Sequence, residues 1–105
     1  MVLPLIAILL GAAAALTAVV VLVILYWNQI VDWFREREAL KAQDRDNIAF
    51  TLQQKLSSGA YETVQGIFNT RINMPVDGEI RKIRSEDIDD QVKATHRRQE
   101  LALYE

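Results

Sequence analysis

The chain has no cysteine, one histidine, four glycines and two prolines in 105 residues. Without thiols, disulfides and thiolate metal sites are excluded, which fits a reducing compartment. His96 has no second histidine to help it hold zinc. The glycines, at 11, 59, 66 and 78, are too scattered for a phosphate-binding loop. Ser57, Ser58 and Ser85 find no triad partners around a single distant imidazole. A net charge of −2 gives no field that would draw nucleic acid or an anionic surface. No catalytic residue, cofactor site or metal site is expected, and the chain is read as a non-enzyme.

Charge is also missing from the whole N-terminal third. All 12 basic and 14 acidic residues lie from Asp32 onward. The uncharged run Val2 to Asn28 exceeds the roughly 18 apolar residues of a membrane-span candidate. From Leu5 to Trp27 a helix reaches about 35 Å, against about 30 Å of hydrocarbon. No Lys or Arg precedes the run, so a retained anchor is favoured over a cleaved signal peptide. Arg35, Arg37, Lys41 and Arg45 follow it closely, which places the N-terminus outside and the remainder in the cytoplasm. Tyr26, Trp27 and Trp33 read as aromatic anchors at the membrane interface. Gly11, Ala15 and Ala18 offer a small-residue face for helix packing.

Beyond the span, Asn28 to Gln43 contains neither Gly nor Pro. Ile30, Val31, Phe34 and Leu40 share a side, so the helix is expected to continue as an amphipathic stalk. Asp44-Arg45-Asp46-Asn47 can break it and cap a second helix, Asn47 to Ser57, in which Ile48, Leu52 and Leu56 stand four apart. Gly59 suits a left-handed position after that helix.

Tyr61 to Ile72 is rich in strand formers, with Val64, Gly66 and Phe68 on one face. Asn73 to Gly78 is a turn cluster ending in Asp-Gly, and Glu79 to Arg84 reads as the return strand. Arg81, Lys82 and Arg84 make that strand basic, as a solvated face would be. Ser85 would cap a helix over Glu86 to Arg98. Its acids (Glu86, Asp87, Asp89, Asp90) come first and its bases, with His96, last, as the helix dipole favours. Leu101 to Tyr104 reads as a terminal strand. A right-handed crossover would set the return and terminal strands parallel, on either side of the first.

The expected architecture is thus a single-pass α-helical membrane protein with a small α+β (β-β-α-β) C-terminal domain. Residues 1–28 form the span, 29–58 the stalk and 59–105 the domain. The expected function is a membrane-anchored accessory or scaffold protein that presents an interaction domain to itself or to a larger membrane complex. Its partners would be the lipid bilayer and a homo-oligomer or membrane-protein complex, with no nucleic acid or small-molecule substrate. The alternative is an oligomeric pore or transporter subunit built from packed single-pass helices.

Overall fold

The apolar N-terminal run changes character part-way along, and the backbone changes with it. Residues 5–14 are Leu, Ile, Ala and Gly, while residues 19–25 are all Val, Ile or Leu, with four of the seven Val. Val and Ile lose side-chain freedom in a helix and fit a pleated sheet, so the second half favours a strand. In the computed structural model, which describes residues 5–14, 18–97 and 99–104, the run divides accordingly. Helix α1 is Leu5–Ala14 and strand β1 is Val20–Leu25. No described helix is long and apolar enough to cross a membrane. The expected span, the orientation drawn from it and the single-pass fold class are therefore corrected.

The described residues form a small α+β domain of one five-stranded mixed sheet and four short helices. After β1 come α2 (Trp27–Arg35), α3 (Glu38–Ala42), β2 (Asn47–Lys55) and β3 (Tyr61–Asn69). The chain continues through β4 (Met74–Ile88), α4 (Asp90–Thr95) and β5 (Leu101–Tyr104). The strand order is β1-β4-β3-β2-β5. β1 pairs parallel with β4, and every other neighbour is antiparallel.

Two layers sandwich the sheet. On one face, α1 buries Leu9 and Ala13 against Phe50, Leu52, Val64 and Phe68. Phe50 and Phe68 meet edge-on, 6.4 Å between ring centres. Gly66 lies beside Phe50 on this face, and the space it leaves is already filled. A Cβ there would stand 3.0 Å from the Glu79 carbonyl and 3.1 Å from Phe50 and Ile80. On the other face, Leu25, Ile30, Ile83, Ile88 and Val92 form one apolar cluster, and Trp33, Ala49 and Ile67 a second.

The continuous stalk does not form. α2 stops at Arg35 and α3 starts at Glu38, because Arg37 leaves helical geometry and turns back across α2. Its guanidinium lies 3.8 Å from the Trp33 ring centre, donates to the Trp33 carbonyl, and pairs with Glu79 at 2.6 Å. Asp44 does break the chain as its composition suggests, accepting from the Asp46 N–H at 2.9 Å. Residues 47–55 then form a strand rather than a helix. The stripe of Ile48 and Leu52 satisfies a period of two as well as one of four. With β2 paired on both sides, its even residues face α1 and its odd residues face α2.

Gly59 adopts the expected positive φ (93°), but it closes the β2–β3 hairpin. Asp77 and Gly78 also take positive φ (50° and 70°). They lie inside β4, where the pairing shifts from Gly66–Ile80 to Phe68–Pro75, so the extra residues bulge out instead of reversing the chain. β4 then runs on to Ile88. Ser85 is a buried strand residue, and the true cap of α4 is Asp89, which accepts from the Val92 N–H at 2.9 Å. The terminal strand forms where expected, but it pairs with β2, antiparallel. The strand hidden in residues 47–55 takes the place beside β3 that the terminal strand was expected to fill.

Candidate functional site: an aromatic groove beside the last strand

Between α2, α3 and the β5 edge runs a groove of about 510 Å³. α2 contributes Trp27, Val31 and Phe34, and α3 contributes Glu38, Lys41 and Ala42. Ala49, Ile67 and Tyr104 complete the lining. The floor owes its depth to the small Ala49, directly across the β2–β5 ladder from Tyr104. Tyr104 packs on Phe34 at 4.9 Å and on Trp27 at 5.9 Å between ring centres. Arg35, Glu38 and Lys41 put both signs of charge on the rim. Pockets of this size with an apolar floor and a few charges are the usual form of a binding site.

The groove holds its shape because α2 is pinned to the sheet by a polar cluster. Gln65, fully buried, donates to the Ile30 carbonyl at 2.8 Å and accepts from Arg81 at 2.8 Å. Arg81 also donates to the Gln29 carbonyl, and its guanidinium lies 5.4 Å from the Trp33 ring centre. Burial, and then the nearby Arg37, lower the Arg81 pKa from its ordinary value. At the other end of α2, the Trp27 N–H donates to Asp89 at 2.7 Å, so one carboxylate serves the first turns of both α2 and α4.

Below the groove, a chain of side chains leads to a second pocket. The Tyr104 hydroxyl lies 2.7 Å from Thr51 Oγ1, which lies 2.8 Å from His96 Nε2. His96 Nδ1 is 3.1 Å from the Gln99 carbonyl, which can only accept. Nδ1 therefore carries the proton, and in the neutral ring Nε2 accepts from Thr51 while Thr51 accepts from Tyr104. Burial pushes the imidazole below its ordinary value, and the Gln99 carbonyl partly opposes this. Burial likewise raises the Tyr104 phenol, which keeps it a donor. His96 lines a polar pocket of about 420 Å³ with Gln53, Lys55, Tyr61, Arg97, Gln99 and Glu100.

The residues singled out from sequence are dispersed. Gly11 is exposed, with open space around it; Ala18 is exposed between α1 and β1; Ala15 lies outside the described residues. Tyr26 is exposed at the start of α2, with its N–H bonded to the Gln29 side chain. Trp27 lines the groove. Trp33, expected as an interface anchor, is buried between two arginines over the sheet. Tyr104, Phe34 and the Thr51–His96 pair went unrecognised in the sequence. The one available signal was the polar odd positions of a strand that reads as a helix. Among the described residues no group of His, Asp and Glu is arranged to hold a metal ion. No family model, curated protein or solved structure matches this chain.

Proposed function

We propose that this domain is an interaction module that captures an extended segment of a partner protein, seating a bulky apolar side chain in the aromatic groove. The observation that carries the reading is the convergence of Trp27, Phe34 and Tyr104 on one groove beside a short, open edge strand. Aromatic residues dominate the energetics of such pockets, and an open strand can add a partner's backbone to the sheet. The mixed charges of Arg35, Glu38 and Lys41 suit a polar rim around an apolar anchor. This keeps the accessory role read from the sequence and drops the anchor. The pore alternative needs packed spanning helices and is not carried forward.

Panning a display library of random peptides against the domain tests the proposal. Enriched peptides should share an aromatic or large aliphatic residue and change the fluorescence of Trp27. Ala42→Glu, on the exposed wall of the groove, should weaken them at least ~10-fold without lowering the melting temperature. Failure to enrich any peptide, or binding indifferent to Ala42→Glu, would overturn the reading.

A further inference from the structure

The opposite edge of the sheet presents a different surface. Among the described residues β1 ends the strand order, and Val20, Val21 and Val23 are 42%, 74% and 68% exposed. Its sequence, VVLVIL, contains no charge and no proline, and its pairing with β4 shows no bulge. Those are the devices by which proteins keep an open edge from pairing.

The backbone polarity of this edge follows from one bond. The Leu25 carbonyl accepts from the Asp89 N–H, so Leu25 faces β4. Residues of one parity point their N–H and C=O to the same side of a strand. Val21, Val23 and Leu25 therefore bond toward β4, and Val20, Leu22 and Ile24 present donors and acceptors to the open side.

We propose that a second copy of this chain pairs with that edge, β1 against β1 in antiparallel register about Leu22, making one continuous ten-stranded sheet. The register is self-complementary. Leu22 meets Leu22 of the partner subunit as a hydrogen-bonded pair, and Val20 meets the partner's Ile24. The exposed Val21 then lies directly across from the partner's Val23, where side chains approach most closely. Charge agrees with the same register. In β4, Arg84 stands beside Val21, and by continuation Glu86 stands beside Val23. Each cross-strand row thus runs from an arginine of one copy, over two valines, to a glutamate of the other, so like charges never align. A two-fold axis uses up the edge, and the assembly closes at two. The pairing is small, so a micromolar dimer is expected rather than an obligate one.

Sedimentation velocity over a range of concentrations, with hydrogen exchange on the unmodified protein, tests this. The expected result is a reversible monomer–dimer equilibrium, with concentration-dependent protection of the Val20, Leu22 and Ile24 amides. Val21→Lys and Val23→Lys place charge on exposed positions and should raise the dissociation constant at least ~10-fold without changing the melting temperature. Leu103→Lys, on the other edge strand, should leave the equilibrium alone. A protein that stays monomeric at every concentration, one that grows beyond two copies, or a dimer dissolved by Leu103→Lys but not by Val21→Lys would each sink the proposal.

Discussion

Thr51 is fully buried on the α2 side of the sheet, and its hydroxyl links Tyr104 to His96. Thr51→Val keeps the shape and deletes both bonds. The loss should be about 1–3 kcal/mol in urea denaturation, since two polar partners are stranded. His96 carries a pH signature of its own. Unfolded, the imidazole takes up a proton near pH 6.5; folded, burial holds its pKa lower. Below about pH 6.5 the unfolded state binds more protons, so stability falls as pH falls through that window. Thermal melts between acid and neutral pH should show this slope, and His96→Ala should flatten it. The sequence placed His96 at a helix end, which is correct, and explained it by the dipole alone. Its hydrogen-bond partner is forty-five residues away in a strand, and no local pattern encodes that. Gly66 makes the same point. Its neighbours Glu79, Ile80 and Phe50 come from two other strands, and Gly66→Ala should destabilise the fold by about 1–3 kcal/mol, because a backbone carbonyl cannot yield as a side chain could.

At the level of elements, misassignments arose where two periods coincide. Residues four apart lie on one face of a helix and on one face of a strand, so Ile48 and Leu52 could not decide between them. The odd positions could have decided it. Thr51 and Gln53 alternate with apolar neighbours, as in a strand that is covered on both faces. The Val2–Asn28 run failed for a related reason: hydropathy counts Val and Ile as it counts Leu and Ala, whereas their backbone preferences differ. Tyr61–Asn69, Leu101–Tyr104 and the positive φ at Gly59 were legible, because alternation and turn chemistry are local. The groove was not, because it needs α2 folded back on the sheet. Asp89 supplies an element-level test. Its carboxylate accepts from the Trp27 and Val92 N–H groups, one at the start of each of two helices. Asp89→Ala should therefore cost about 2 kcal/mol, more than an ordinary single cap, and shift the fluorescence of Trp27. Asp89→Asn should restore part of the stability, since an amide oxygen can still accept one bond.

Among the described residues, the sheet carries one helix on one face and three on the other, and its two edge strands have no further partner. Its radius of gyration, 13.2 Å, is that of an ordinary folded chain of this length. The two edges differ in kind: β5 adjoins an aromatic groove, whereas β1 is bare valine, leucine and isoleucine. The order of strands also sets a timetable. β2 and β3 are neighbours in sequence and meet across the short turn at Gly59, so they can pair within microseconds of emerging. β1 comes out of the ribosome before either, yet its partners in β4, Ile83 to Ile88, follow it only about sixty residues later. Until β4 appears, the most apolar of the described strands has no partner. Removing β4 should leave β1 exposed and the truncated chain dependent on a chaperone, since the sheet closes only after this long-range pairing forms.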